Sequence, residues 1–169
     1  KNPTRSALEQ CLAALENAKH GLCFSSGMGA IDAVAKLLRP GDEVITSAYT
    51  YTATAAVIHH VGAKIVLADS AANSYEMDYD RLENAITERT KVVIPVDIGG
   101  VMCNYDRVLA AVEAKKNLYR PSTPLQCAFD RVIVMADAAH SFGAVWQGRR
   151  SGSAADFTTF SLHEVKFYT

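Results

Sequence analysis

The stretch RVIVMADAAH, residues 131–140, decides the fold class because an apolar strand in it ends directly on polar side chains. Its β-branched and apolar residues predict a buried strand over Arg131–Ala136. Asp137 follows at once, and His140 comes shortly afterwards. Ligands of parallel α/β sheets bind beyond the carboxyl ends of the strands. The stretch therefore predicts a site at the carboxyl end of a buried parallel strand.

The rest of the chain alternates short β-rich runs with longer helical stretches. Strands are predicted at 21–24, 43–46, 64–68, 91–96, 131–136 and 157–161, and helices at 5–18, 25–38, 50–60, 78–86 and 105–116. Residues 117–128 contain two prolines and are predicted to be a surface insertion. This alternation is typical of an α/β fold with three layers, a mostly parallel sheet covered by helices on both faces. No boundary divides residues 1–169, so we expect one domain.

The composition excludes several classes of function. The chain has 169 residues, of which 49% are hydrophobic, and its formal net charge is −1, so neither nucleic-acid binding nor membrane-surface binding is expected from bulk charge. No apolar run is long enough to cross a bilayer, and cytoplasm is the expected location. The four cysteines lack CxxC spacing, which predicts reduced, mostly buried thiols. No histidine pair has ligand spacing, so no metal is expected.

The turn Ser26-Gly27-Met28-Gly29 is a candidate anion site at the start of a helix. Free backbone N–H groups and the helix dipole favour an anion there, and the glycines allow close approach. The same residues also fit an ordinary turn with a serine N-cap.

Lys166 and Asp137 are the candidate catalytic residues. Lys166 follows a short Ser161-x-His163 run near the end of the chain. Pyridoxal 5'-phosphate (PLP) needs two such groups: a lysine that forms a Schiff base, and an aspartate that keeps the pyridine nitrogen protonated. Asp137 alone could equally be a helix cap or a buried structural carboxylate, and most lysines are solvated surface groups.

The neighbouring candidates surround these two residues. Ser161 can donate its hydroxyl to a phosphate oxygen, and His140 could approach the cofactor ring. Tyr51 follows a predicted strand, where an aromatic ring can stack on a flat heterocycle or pack at a helix start.

Four segments, in this order, resemble the DegT/DnrJ/EryC1/StrS family of sugar aminotransferases, which are fold-type I PLP enzymes. They are PGDEVITSAYTYTATAA, ERTKVVIPVDIGG, DRVIVMADAAHSFGA and FTTFSLHEVK. The resemblance implies that Lys166 is the Schiff-base lysine and Asp137 the partner of the pyridine nitrogen. It places His140 beside the cofactor, Tyr51 on the ring, and Ser161 with Ser26, Gly27 and Met28 at the phosphate.

The first residues, KNPTRSALEQCLAALENAKHGLCFSSGM, look more like the PLP family of Cys/Met metabolism. The expected reaction is transfer of an amino group, from glutamate, to a nucleotide-linked keto-sugar. The alternative is a C–S lyase or γ-replacement enzyme with the same cofactor. A keto-sugar dehydratase and a non-catalytic cofactor-binding domain are further options, although Lys166 argues against the dehydratase.

The resemblance also bears on the extent of the chain. It implies that residues 1–169 are an incomplete large domain, truncated after the Schiff-base lysine and inactive alone. The expected partners are small-molecule substrates, and the full-length protein is expected to be a homodimer.

Overall fold

The computed structural model describes residues 2–163 and Lys166, and its centre is a five-stranded sheet. The helices are α1 (Pro3–Leu15), α2 (Gly27–Ala35), α3 (Thr52–His60), α4 (Tyr79–Ala85) and α5 (Tyr105–Ala114). The strands are β1 (Glu43–Ser47), β2 (Lys64–Ala68), β3 (Thr90–Ile94), β4 (Ile133–Asp137), β5 (Val145–Trp146), β6 (Arg149–Arg150) and β7 (Phe157–Thr159). Single 3₁₀ turns lie at Ile98–Gly100, Lys116–Leu118, Gln126–Ala128 and Ser151–Ser153.

The sheet confirms the predicted fold class. Its strand order is β2-β1-β3-β4-β7, and every neighbouring pair is parallel. Parallel neighbours need crossover connections, which the intervening helices supply. The carboxyl ends of all five strands therefore meet at one edge of the sheet.

Alternating side chains of the central strands divide the core into two halves. Val92, Ile94 and Met135 belong to the half that α2 and α3 cover. Val93 and Val134 point the other way, into the half that α4 and α5 cover. Both faces are buried, so the central strands present apolar side chains to both faces of the sheet rather than to one.

Side-chain caps fix where several helices begin. Asn2, Ser26, Asp78 and Asn104 each accept hydrogen bonds from backbone N–H groups of the following turn. These bonds satisfy donors that the helix itself cannot pair. Asp78, for example, is the N-cap of α4 and accepts from the N–H groups of Asp80 and Arg81.

The strand predicted at 21–24 is wrong, because α1 takes the hydrogen bonds that a sheet neighbour would need. The N–H of Cys23 donates to the Glu9 carboxylate at 2.9 Å, and its carbonyl accepts from Arg5. The segment is therefore extended chain held by helix side chains, and β1 is the first strand of the sheet.

The segment predicted to be a surface insertion, 117–128, is irregular and mostly exposed, but Tyr119 and Gln126 are buried and polar side chains tie the segment to the fold. Gln126 is fully buried, and its amide donates to the Leu37 carbonyl and to Asp42. Ser122 donates to the same buried carboxylate at 2.8 Å. The two prolines predicted the irregular backbone correctly, but they gave no sign that Gln126 would be buried.

Other elements differ in detail. Helix α1 begins earlier than predicted and has no buried residues; its Leu8 and Leu15 are exposed, and Leu12 is half-buried. Only Cys103 is buried among the four free cysteines, whereas Cys11 and Cys127 are exposed. The hairpin of β5 and β6 was not predicted; Gln147 and Gly148, both with positive φ, form its two-residue turn. Among the described residues, no helix is long and apolar enough to cross a bilayer.

Glu43 anchors the edge of the sheet opposite the carboxyl ends. Its buried carboxylate accepts from Arg89 at 2.9 Å, Lys64 at 3.1 Å and Thr87 at 2.7 Å. Burial alone would raise the pKa of Glu43, but the hydrogen bonds from these three residues together lower it. The charged carboxylate thus stabilises the fold.

Replacing Glu43 with Gln should lower the free energy of unfolding at pH 7 by about 1–3 kcal/mol, because it removes the charge that these donors share. The matched control is Glu113→Gln, which removes an exposed carboxylate paired with Lys116. That change should cost less than about 0.5 kcal/mol. Urea denaturation measures both, and equal effects would contradict the structural role of Glu43.

The same pair of variants tests the pKa of Glu43. A lowered pKa contributes stability above the unfolded value of about 4.3, and this stability is lost as the pH falls through the folded value. The difference between wild type and Glu43→Gln should therefore shrink on acidification. A difference that stayed constant down to about pH 3 would contradict the lowered pKa.

Candidate active site

A cleft of about 680 Å³ lies at the carboxyl edge of the sheet and collects most of the predicted site residues. Tyr51, Asp137, His140, Ser161 and Lys166 all line it, although they come from four separate parts of the chain. Ser26, Gly27 and Met28 are not among its lining residues. The parallel strands bring these distant residues together, as the sequence pattern predicts.

Asp137 is the last residue of β4, and the neighbouring strands fix its backbone. Its N–H donates to the Pro95 carbonyl at 2.9 Å, and its carbonyl accepts from Asp97 N–H at 3.0 Å. On the other side, Ala138 N–H donates to Thr159 at the end of β7. The carboxylate position is therefore set by three strand ends at once.

The side chain of Asp137 is 6% exposed and oriented by two donors. Thr54 Oγ1 donates to Oδ2 at 2.6 Å, and the N–H of Ala139 donates to Oδ1 at 3.3 Å. Within residues 2–163 and Lys166, no salt bridge includes Asp137. A buried carboxylate without a cation is costly, so this group is suited to a cationic N–H donor in the cleft.

Thr54 is a site residue that the sequence reasoning missed. It is fully buried on α3, where it shares the inward face with Val57 and Ile58. A buried threonine hydroxyl needs a hydrogen-bond partner. The position of Thr54 among apolar residues of a helix could therefore have indicated a buried polar partner. That partner is the carboxylate of Asp137.

The start of α2 packs directly against Ser161. A Cβ placed on Gly27 would lie 3.3 Å from Ser161 Cβ and 3.5 Å from its Oγ, so only glycine fits without displacement. Ser26 caps the helix by accepting from Gly29 N–H at 3.1 Å. The helix leaves the N–H groups of Gly27 and Met28 without intrahelical partners. The turn and the Ser161 hydroxyl together form a cradle suited to an anion.

His140 lines the cleft and is held by a backbone donor. The N–H of Gly99 donates to its Nδ1 at 3.3 Å. Gly99 belongs to the 3₁₀ turn that follows β3 and was not predicted as a site residue. The glycine pair at 99–100 was visible in the sequence, but nothing local connected it to a histidine so far along the chain.

Asp97, which follows β3, serves as an internal anchor of the site. It is 1% exposed, and its carboxylate accepts from Cys103 N–H at 2.9 Å, Tyr105 at 2.8 Å and Ser141 at 2.7 Å. Burial raises the pKa of Asp97, while these hydrogen bonds oppose the shift. The Ser141 bond fixes the loop that carries His140.

Aromatic side chains form the outer wall of the cleft. Tyr51 is 74% exposed and, at the N-cap position of α3, makes no capping hydrogen bond with its side chain. Tyr49 also lines the cleft, and its ring centroid lies 5.2 Å from that of Tyr75. The exposed Tyr51 ring is therefore not packed against the start of α3, which was the alternative that its sequence position allowed.

Lys166 is half-buried in the cleft, and its backbone N–H donates to the carbonyl of His163 at 3.0 Å. Glu164 and Val165 of the SLHEVK motif lie outside the described residues. Within the part that is described, no group of His, Cys, Asp and Glu has the arrangement of a metal site.

Comparison with known proteins identifies the family. The model of the DegT/DnrJ/EryC1/StrS aminotransferase family matches residues 1–169. The chain belongs to this family. The match includes the first 28 residues, whose motifs also look like those of the Cys/Met enzymes.

The relatives of this DegT-family chain include proteins of sugar metabolism. It is 36% identical over 168 residues to a spore coat polysaccharide biosynthesis protein of Bacillus subtilis, covering 98% of this chain and 39% of that protein. It is 38% identical over 151 residues to the UDP-2-acetamido-2-deoxy-3-oxo-D-glucuronate aminotransferase of Pseudomonas aeruginosa, covering 88% of this chain and 38% of that protein.

Among solved structures, a putative sugar aminotransferase from Streptococcus pneumoniae in its PLP form superposes with a TM-score of 0.96. The identity is 44%, covering 100% of this chain and 44% of that one. A form of the same protein with pyridoxamine phosphate (PMP) matches equally well. The chain thus spans 38% to 44% of the length of these three relatives.

The Gly27 cradle gives a sharp test of the phosphate site in this DegT-family chain. Gly27→Ala should weaken PLP binding by about tenfold, because the new methyl displaces Ser161 from the turn. Gly29→Ala is the matched control, since its Cβ would meet only Ser26 Oγ at 3.4 Å and Phe24 at 3.7 Å. Fluorescence titration with PLP measures both, and equal affinities of the two variants would argue against the cradle.

Thr54 gives a test of the orientation of Asp137. Thr54→Val removes the hydroxyl that donates to the carboxylate, a bond to a charged group worth about 1.5–3 kcal/mol. We expect PLP binding to weaken by at least about tenfold. Thr54→Ser keeps the hydroxyl and should retain most of the affinity. If valine and serine behaved alike in the same titration, the hydroxyl would not be what orients Asp137.

Proposed function

We propose that this chain forms the PLP-binding part of a sugar aminotransferase. The observation that carries the proposal is the buried Asp137 carboxylate, which has two oriented hydrogen bonds but, among the residues that the structure describes, no salt bridge, in the same cleft as Lys166. Membership of the family and the PLP and PMP forms of the relative from Streptococcus pneumoniae support the same cofactor.

The residues of the cleft fit each chemical part of PLP. Asp137 would hold the ring N–H, since it offers a carboxylate whose orientation is already set by Thr54. Ser161 and the start of α2 would hold the phosphate, because Gly27 lets the helix N-terminus pack directly beside the Ser161 hydroxyl. Lys166 would hold the aldehyde, and Tyr51 offers an exposed ring for stacking.

When bound, PLP supplies an electron sink that stabilises negative charge at the substrate carbon. The chain's own contribution is electrostatic and positional. Asp137 would stabilise the protonated form of the ring nitrogen, because a buried anion stabilises a nearby cation. The Lys166 amine is the group that can carry a proton to and from the substrate carbon. Tyr51 lines the cleft and offers a ring on which the cofactor would stack.

The names of two relatives support a nucleotide-linked sugar as the acceptor. The relative from Pseudomonas aeruginosa is named for a UDP-linked keto-sugar, and a GDP-perosamine synthase of Caulobacter vibrioides is 35% identical over 153 residues. We therefore propose that the acceptor is a nucleotide-linked keto-sugar and that the donor is glutamate. We also propose that the full-length protein is a homodimer and that it is located in the cytoplasm.

Absorbance tests the role of Lys166 in the purified protein. With PLP added, we expect a band near ~420 nm, typical of a lysine-bound cofactor. Lys166→Ala should abolish it, while Lys115→Ala, which removes the C-cap lysine of α5 that lies 3.9 Å from Glu83 on α4, should leave it intact. A band that survived in Lys166→Ala would contradict the assignment.

Half-reactions test the reaction class. Glutamate added to the PLP-loaded protein should convert the cofactor to PMP, and a nucleotide-linked keto-sugar should restore it. Cystathionine should release no thiol and no keto acid. Release of those products without transfer from glutamate would instead support the C–S lyase alternative.

A further inference from the structure

We propose that helix α1 aligns the two walls of the anion cradle, through the carboxylates of Glu9 and Glu16. One wall is the start of α2, and the other is the Ser161 hydroxyl that packs against Gly27. The inference rests on the proposed function, because it takes this cradle as the site of the PLP phosphate. Glu9 and Glu16 are not among the residues that line the cleft, so both are positioning residues.

The first observation is the way in which α1 is attached to the fold. None of its residues is buried, whereas its C-cap residue, Glu16, is 2% exposed. On the helix itself, the side chain of Glu9 is 17% exposed. Removing a carboxylate from water is costly unless it accepts hydrogen bonds. The donors to these two acids therefore identify the parts of the chain that α1 holds.

Glu9 holds the segment that leads into α2. Its carboxylate accepts from the N–H of Cys23 at 2.9 Å, and Arg5, which pairs with the same carboxylate, donates to the Cys23 carbonyl. Gly21 lies so close to the helix that a Cβ there would collide with the Glu9 carbonyl oxygen. Because Gly27 follows shortly afterwards, the position of α1 limits where α2 begins.

Glu16 joins the two loops that flank the hairpin of β5 and β6. Its Oε1 accepts from the N–H of Gly143 at 2.5 Å, and its Oε2 accepts from the N–H of Gly152 at 2.9 Å. A Cβ on Gly152 would lie 2.5 Å from the Cβ of Glu16, so only glycine fits beside this side chain. Both carboxylate oxygens are thus needed, one for each loop.

The neighbours of these two glycines contact the strand that leads to Ser161. Phe142 packs edge-on against Phe160, with ring centroids 5.3 Å apart. The carbonyl of Ser151 accepts from Thr158 Oγ1 at 3.3 Å. Phe160 directly precedes Ser161, and Thr158 belongs to β7. The loops that Glu16 joins therefore fix the chain on the side of the Ser161 hydroxyl.

The two walls come from distant parts of the chain and meet closely. A Cβ on Gly27 would lie 3.3 Å from the Cβ of Ser161 and 3.5 Å from the carbonyl oxygen of Phe160. An anion is bound well there only if the helix N–H groups and the hydroxyl converge on it without rearrangement. A shift of either wall should therefore weaken contacts to the phosphate while leaving Asp137 in place for the ring.

The direct test compares PLP with pyridoxal, which lacks the phosphate, in fluorescence titrations of the purified protein. Glu16→Gln has nearly the same shape, but an amide has one acceptor oxygen, so one of the two N–H bonds is lost. We expect the affinity for PLP to fall by about tenfold and the affinity for pyridoxal to change by less than about twofold. Equal losses for both ligands, or no loss for either, would overturn the positioning role.

Two further variants separate this inference from the proposed function. Ser161→Ala removes the hydroxyl of the cradle itself and should also weaken binding of PLP but not of pyridoxal. If it does not, the phosphate site is elsewhere, and the role of α1 falls with it. If it does while Glu16→Gln has no such effect, only the role of α1 is wrong. Glu113→Gln, at an exposed carboxylate of α5, should change neither affinity.

Gly152→Ala disturbs the same contact from the loop and keeps the carboxylate. It should lower the ratio of PLP affinity to pyridoxal affinity about as much as Glu16→Gln does, because the new methyl displaces the Glu16 side chain. The double variant should lose little more than the larger single effect, since both changes break one contact. Fully additive losses would show that the two residues act separately and would contradict the proposal.

Glu9→Gln tests the other wall, in a part of the chain that is less buried than Glu16. The amide cannot both accept from Cys23 and keep the charge that pairs with Arg5. We expect the same selective loss of PLP affinity, with pyridoxal binding preserved. An unchanged ratio of the two affinities would overturn the alignment of both walls by one helix.

Discussion

The burial of the Asp137 carboxylate is the constraint on which the rest of the site depends. A negative charge that is 6% exposed needs donors, and the fold supplies one from α3 and one from the following loop. Neither donor carries a charge. The remaining need for a positive partner is the reason for which we propose a cofactor site, and not simply a capped strand, at this end of β4.

The surrounding structure keeps that carboxylate in place through further buried acids. Asp97 connects the end of β3 to the loop after β4 and to the start of α5. Glu16, also buried, accepts from the N–H groups of Gly143 and Gly152 and so fastens α1 to the loops before β7. Each of these two carboxylates accepts its hydrogen bonds from neutral N–H and O–H groups. They therefore hold the loops without using a cationic group that Asp137 could otherwise bind.

The sequence predicted the architecture well because apolar periodicity directly reflects burial. The strands β1, β2 and β4 fall close to their predicted positions, and Asp137 lies at the predicted edge. The failures share one cause: backbone groups at 21–24 and the amide of Gln126 bind partners distant in sequence. The same cause hid Thr54 and Gly99, since their partners lie far along the chain and no local pattern encodes the pairing.

The measurement that tests the central claim most directly is the site of covalent attachment of PLP. Reduction of the PLP-loaded protein with borohydride fixes the bound lysine, and peptide mass spectrometry then locates the added group. The account predicts a single modified residue, Lys166, because it is the lysine that lines the cleft with Asp137. Modification of a different lysine, or none under conditions where PLP is bound, would contradict it.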